Sequence, residues 1–268
     1  NKQALISPKY SFSEHAIKVT NIIISYWVGR PPNRLYQLLN QIARHDAQAP
    51  FIITIVCNGG DRHPLILPEK YVKNGVHVLN RVNSGYNIGA WEHGWRSDGE
   101  SEYFLFLQDE CRILKTGWLK AFLDKMQESR EIGLLGESIN WKRAWSEQRN
   151  NPVAASCLNR EGEVPFNAVD FLRAFIVLNG IDPGESAEHL QSLILFSSRT
   201  VLEEVSGFIT SDIYAEAVGS EIAISKKVQE RGYRIAQVGA QPFSFIGHLQ
   251  WSVTWYRNWI KFKLFARP

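Results

Sequence analysis

Tyr103-Phe104-Leu105-Phe106-Leu107 is apolar at every position, with no alternation between polar and apolar residues. A strand of that kind must be covered on both faces, which places it at the centre of a sheet with further layers above and below. The run ends without a spacer in Gln108-Asp109-Glu110. Two acids at the mouth of a buried strand are unfavourable unless positive charge meets them there. Two readings fit: a divalent cation with diphosphate oxygens, or a solvated strand end capped by Arg112 or a lysine.

The neighbouring segments supply the layers. Ile22 to Trp27, Phe51 to Val56, Val76 to Leu79 and Ile132 to Leu135 read as further short strands. Between them, Leu35, Leu38, Leu39, Ile42 and Ala43 recur at helical spacing, as do Trp118, Leu119, Phe122 and Met126. Strands alternating with amphipathic helices predict βαβ units and an α/β fold. From about Ser138 to Asp170 the pattern dissolves into polar sequence with isolated Trp141, Trp145 and Phe166, a stretch long enough to imply function. Regularity returns with a strand at Leu193 to Phe196, a helix through Val201, Leu202 and Val205, and a helix from about Glu216 to Arg231 ended by Gly232. A chain of 268 residues is long enough to bury about 70–75% of its unfolded surface. The simplest division is one α/β domain over 1–250 with an appendage over 251–268.

Composition narrows the function classes. The net charge of +3 gives no argument for a nucleic-acid partner. Cys57, Cys111 and Cys157 are too few and too far apart for a disulfide framework or zinc cluster, so a reducing compartment is expected. No apolar run approaches a membrane span, and no signal-peptide pattern is read at residue 1. The expected location is cytoplasmic.

In open α/β sheets ligands collect at the carboxyl ends of the strands. The first strand ends in Ser25-Tyr26-Trp27, an aromatic wall beside a loop with Arg30. The second ends in Asn58-Gly59-Gly60-Asp61, which is either a base-reading site or a plain turn. Asn83 to Trp91, with two glycines and Asn87, is either a ligand-wrapping loop or a capped turn, and Arg81 just upstream suits phosphate. Ala217, Glu221, Ile224 and Val228 share one helical stripe, which sets a carboxylate in an apolar face. That residue is a candidate general base, or else an acid favoured by the helix dipole in an exposed first turn.

The order of these features resembles the GT-A glycosyltransferases, and within them the inverting family 2 type, over roughly residues 20–250. Val56-Cys57-Asn58-Gly59-Gly60-Asp61 lies where that family has Val-Asp-Asp-Gly-Ser and a following Asp, with Cys57 and Asn58 in place of the acids. Asn83 to Ala90 resembles the Asn-x-Gly segment, in a form close to rhamnan-synthesis-type transferases. Phe106 to Glu110 lies over Phe-Leu-Asp-x-Asp, with Gln108 at the first acid and Glu110 at the second. Leu195 to Phe208 follows the family's arginine–Val-Leu-Glu-Glu-Val-Gly-Gly-Phe segment, and Ser220-Glu221 falls on its Glu-Asp pair. His248 lies where many members carry a late histidine, though a lone histidine among aromatics is as readily a packed one.

The resemblance implies a GT-A, Rossmann-like, mixed and mostly parallel sheet flanked by helices. It implies transfer of a sugar from a nucleoside-diphosphate sugar to a glycan or lipid-linked acceptor with inversion, in bacterial surface-polysaccharide or lipopolysaccharide synthesis. Glu221 would be the catalytic base. Tyr26, Arg30, Asn58, Asp61, Arg81, Asn83, Asn87 and Gln108 would bind the nucleotide sugar. Asp109 or Glu110, with His248, would hold Mn²⁺ or Mg²⁺. Trp141 and Trp145 would shape the acceptor side, or simply pack on the core. Two rivals stay open: a nucleotidyltransferase, and a non-catalytic GT-A domain that binds sugars or proteins. The last eighteen residues, basic and with Trp251, Trp255, Trp259 and Phe262 at helical spacing, predict an amphipathic C-terminal helix. It would lie at the inner membrane interface or dock on a domain.

Overall fold

The computed structural model describes residues 19–158 and 166–249. The C-terminal helix expected over 251–268 lies outside them.

In the first half, β1 (Thr20–Trp27), α1 (Asn33–Arg44), β2 (Phe51–Asn58), α2 (Glu69–Lys73), β3 (Val76–Arg81), α3 (Tyr86–Ser97) and β4 (Tyr103–Gln108) follow one another. A short β5 (Cys111–Ile113), α4 (Trp118–Gln127), β6 (Ile132–Gly136) and β7 (Ile139–Asn140) come next. Three helices then interrupt the sheet: α5 (Trp145–Arg149), α6 (Pro152–Ala155) and α7 (Ala168–Leu178). After these come β8 (His189–Leu190), β9 (Ile194–Ser198), α8 (Arg199–Glu204), α9 (Tyr214–Glu230), β10 (Arg234–Gln237) and β11 (Ile246–His248).

Seven strands form the central sheet in the order β10-β6-β9-β4-β1-β2-β3. β3, β2, β1 and β4 run parallel, and β9 is antiparallel to both β4 and β6. β10 is parallel to β6. The sheet is therefore mixed and mostly parallel, as expected. β4 lies at its centre, and its unbroken apolar run is the sum of two alternating faces. Leu105 and Leu107 join Ile22, Ile24, Leu38, Trp118 and Phe122 on one side. Phe104 and Phe106 join Ile23, Val56, Trp91, Leu202 and Ile224 on the other. The stretch expected to be irregular instead builds a third apolar cluster, in which Trp145, Leu158, Leu172, Phe175 and Ile176 pack with Ile222 and Ala223 of α9.

Close packing of α3 sets the site's floor. A Cβ added at Gly94 would lie 2.7 Å from Ile23 Cγ2 and 3.0 Å from Val56 Cγ2, so the helix lies against β1 and β2 at glycine distance. That approach delivers the start of α3 to the carboxyl ends of the same two strands. Gly94→Val should cost about 1–3 kcal/mol by overpacking. A thermal melt superimposable on that of the wild type would show that the contact is not tight.

Candidate active site

In the parallel half of the sheet the strand ends fall side by side. Ser25 is in register with Gln108, Trp27 with Asn58, and Asn58 with Arg81. Above them opens a cleft of about 1040 Å³. Trp27, Arg30, Asn58, Asn83, Asn87, Gln108, Asp109 and Glu110 line it, together with Trp141, His189, Gln191, Val218, Glu221 and Ile222.

The loop before α3 is held from below. Arg81 Nη1 donates to Asn58 Oδ1 and to the Ser84 carbonyl, both at 2.9 Å. Asn58 Nδ2 donates to the Tyr86 carbonyl at 2.9 Å, and Ser25 Oγ to Asn87 Oδ1 at 2.9 Å. From across the cleft, Asp212 Oδ1 accepts the Gly85 N–H at 2.6 Å, and this bond heads the causes that hold its carboxyl below the usual range. Gly85 at φ 69° and Tyr86 at φ 51° are both left-handed, a conformation unusual for a tyrosine. Asn58 and Arg81, both read from sequence as ligand contacts, thus spend their polar atoms on shaping this loop. Arg81 does not itself line the cleft, whereas the loop's Tyr86 does.

The acid corner is neutralised by arginines, though neither by Arg112, which is exposed on β5, nor by a lysine. Arg30 and Arg34, from the turn after β1 and the start of α1, both reach Glu110 Oε1, Arg30 at 3.0 Å. Asp109 is buried, and burial holds its carboxyl above the usual range despite both arginines. The pairing of β11 with β5 sets His248 opposite Cys111. His248 Nε2 lies 3.2 Å from Gln108 Oε1 and 3.8 Å from Glu110 Oε2. Burial, then the Arg34 charge, pushes its pKa down to about 4, so the ring is neutral at physiological pH.

These residues fit a divalent cation as a partial site. A neutral imidazole and a carboxylate oxygen 3.8 Å apart are spaced like two donors to one ion, with bonds of about 2.0–2.2 Å. Among the described residues no three His, Cys, Asp or Glu side chains converge on one point. The remaining positions would fall to substrate phosphates and water, the usual pattern for magnesium.

Glu221 faces this corner from α9. Tyr214, Val218, Glu221 and Ile222 line the cleft, while Ala217, Ile224 and Val228 are buried in the core. The helix starts at Tyr214, so Glu221 stands mid-helix, and the exposed-first-turn reading does not hold. Its carboxyl makes no hydrogen bond or ion pair among the described residues, and burial alone pushes it up to about 8. Ser220 beside it is fully buried and bonds the Glu216 carbonyl.

Besides Arg81 and the fully buried His248, three further sequence candidates do not line the cleft. Tyr26 points to the opposite face of β1, where its hydroxyl donates to the Arg30 carbonyl at 2.5 Å and its ring lines a separate groove with Tyr36 and His63. Alternation along the strand makes Trp27 the aromatic that meets the cleft. Asp61 sits on an outer turn, 4.0 Å from Arg62. Trp145 is buried, with its indole N–H on the Pro183 carbonyl, and packs edge-on to Trp141. Sequence reasoning missed His189, Asp212 and Tyr214, and it held Trp27, Arg34 and Tyr86 only as parts of longer segments, not as site residues. Strand parity alone could have found Trp27.

Glu221 also predicts a pH-dependent stability. Its carboxyl titrates near 4.5 when exposed and near 8 in the fold, so the protein loses stability as pH rises through that window. Glu221→Gln should therefore melt above the wild type at about pH 9 and together with it at about pH 4. Calorimetry at both values checks this, and equal melting at the higher pH would show the carboxyl to be well solvated.

No protein-family model and no curated protein sequence matches the chain. Solved structures do. A mannosyltransferase from Pyrobaculum calidifontis, solved with GDP-Man and Mn²⁺, matches over 84% of this chain and 55% of its own, at 15% identity and TM-score 0.51. GalNAc-T7, solved with UDP, GalNAc and Mn²⁺, matches over 88% of this chain and 44% of its own, at 12% identity and TM-score 0.55. The chain thus spans about half the length of these structures. At such identities the likeness speaks to architecture, and with the sheet order described above it shows that this chain has the GT-A fold.

Proposed function

We propose that this protein is an inverting glycosyltransferase that moves a sugar from a nucleoside-diphosphate sugar to an acceptor hydroxyl. The observation that carries the reading is the Glu221 carboxyl, which has no partner among the described residues and lines the same cleft as Asp109, Glu110 and Arg30. A carboxylate held in an apolar wall is a stronger base than one in water, and a pKa near the working pH suits proton removal. Glu221 would take the proton of the acceptor hydroxyl as that oxygen attacks the anomeric carbon from the face opposite the leaving group. Arg30 and Arg34 would exchange Glu110 for the diphosphate and so neutralise charge on the leaving group. Glu110 Oε2 and His248, with Asp109 nearby, would hold Mn²⁺ or Mg²⁺. Such a cation supplies Lewis-acid stabilisation of the departing diphosphate.

Trp27 and the Asn83–Asn87 loop would cover the nucleotide, and Trp141 the acceptor. The two solved relatives, crystallised with a nucleotide or nucleotide sugar and Mn²⁺, support the donor class. A glycan or lipid-linked acceptor, a place in surface-polysaccharide synthesis and a cytoplasmic location at the membrane's inner face complete the proposal. Among the described residues no helix is long and apolar enough to cross a membrane.

Calorimetric titration of UDP, GDP, dTDP and CMP, each with and without Mn²⁺, tests the donor site. Metal-dependent binding of one nucleotide is expected, and binding of none in either condition would leave only the non-catalytic alternative. With the matching sugar nucleotide, Glu221→Gln should bind the donor normally and lose at least about a hundredfold in kcat. In the wild type kcat/KM should rise with pH toward about 8, as Glu221 loses its proton. A pH-independent rate, or a fully active Gln variant, would remove Glu221 from the role of base.

A further inference from the structure

Glu137 follows directly on β6 and is almost fully buried, at 1% exposure. Its carboxylate accepts three backbone N–H groups from one remote segment: Ser244 at 2.7 Å on Oε2, Ile246 at 2.7 Å and Phe245 at 3.1 Å on Oε1. Its own carbonyl accepts a fourth, from Phe243 at 3.1 Å. A buried carboxylate is costly unless its lone pairs are met, and here a single turn of chain meets them. Burial still outweighs those bonds and pushes the group up to about 7, which shows how far from water the junction lies. The charge of Lys115, whose Nζ sits 3.8 Å over the Phe245 ring, draws it back down in part.

The anchored segment has one consequence for the cleft. Ile246 is the first residue of β11, and two residues later the same strand presents His248 to Gln108 and Glu110. β11 has only three residues and pairs with an equally short β5, through Ile246 with Ile113 and His248 with Cys111. A two-stranded ribbon of this length is not stable by itself. Its register depends on what fixes its entry, and Glu137 clamps the three amides immediately before and at that entry. The Leu249 N–H closes the far side on the Glu110 carbonyl at 3.2 Å.

We infer that Glu137 is a positioning residue for the reaction centre: it fixes the register of the late strand and thereby holds His248 beside Glu110, where cation and diphosphate would bind. This rests on the proposed function for its catalytic meaning, but the positioning itself is a property of the ligand-free protein. Groups that orient a ligating histidine typically change metal affinity about 10–100-fold when removed.

Glu137→Gln keeps the shape but turns one acceptor oxygen into a donor that faces an N–H. Nuclear magnetic resonance without ligand should show faster amide exchange at Ser244, Phe245 and Ile246, together with a shifted His248 ring resonance. Unchanged exchange, or exposed amides with an unmoved ring, would overturn the inference, the second outcome leaving Glu137 as a staple of the loop alone. UDP and GDP are then titrated with and without Mn²⁺. For the nucleotide that binds, the Mn²⁺-dependent gain in affinity should fall about tenfold or more, while metal-free affinity stays within about twofold. In a His248→Ala background the same change should add nothing. Equal losses with and without Mn²⁺, or full additivity with His248→Ala, would count against positioning. A wild type that binds neither nucleotide in Mn²⁺ would remove these two donors from the proposed function, while the resonance experiment still decides the role of Glu137. Should the Gln variant fail to fold, Glu137→Asp, which keeps the charge but falls short of the amides, gives the same readouts.

Discussion

The buried centre of the sheet sets the terms for everything above it. β4 is covered on both faces and ends in two acids without an intervening turn, so charge emerges directly from a region of low dielectric. Such a junction persists only if counter-charge is brought to it. The turn after β1 does this by sending Arg30 and Arg34 to Glu110. Because β1 and β4 are parallel neighbours, that turn necessarily leaves the sheet at the same edge as the acids. The parallel pairing thus creates both the electrostatic problem and the means of offsetting it.

Two carboxylates facing one cleft are treated in opposite ways. Glu110 is paired, and its charge is stabilised by cations and by proximity to solvent. Glu221 has no partner among the described residues and lines the cleft with Val218, Ile222 and Leu172 of α7, and burial disfavours its charge. Opposite environments of this kind are what the proposed roles of electrostatic stabiliser and base require. The same separation explains a local instability: an isosteric amide at Glu221 would suit the fold better than the acid present.

Much of this was legible in the sequence because two periodicities are strict. The doubled apolar strands gave the covered sheet, and the helical stripe through Ala217, Glu221, Ile224 and Val228 located a carboxylate in an apolar face. Misreadings arose where those periods were ignored or saturated. Tyr26 and Trp27 differ by one step, and a period of two sends them to opposite faces, so an aromatic wall assigned to both could be only half right. α7, Ala-Val-Asp-Phe-Leu-Arg-Ala-Phe-Ile-Val-Leu, is apolar nearly all round, which hides its helical period, and polar sequence before it masked its start. Asn58 and Arg81 have the chemistry of ligand readers, but their partners are carbonyls and a side chain that only the tertiary fold brings near. Arg34 looked like an ordinary residue at a helix start. Nothing local shows that it reaches an acid 76 positions away.

The order of the parts along the chain adds a final consequence. Gln108 and His248 are separated by 140 positions, and Glu137 lies over 100 positions from the amides it binds. Contacts this distant are slow to form and form late, since the loop-closure cost precedes any gain. Even within β1 to β4, β1 reaches β4 across 83 positions, and Arg30 and Arg34 reach Glu110 across 80 and 76. β11 has too few residues to fix its register on its own and depends for it on β5 and Glu137. The proposed reaction centre therefore depends on the chain's late segment. A lesion at Glu137 would accordingly leave the sheet, the arginine-paired acids and the Glu221 helix in place while displacing the one imidazole at the acid corner.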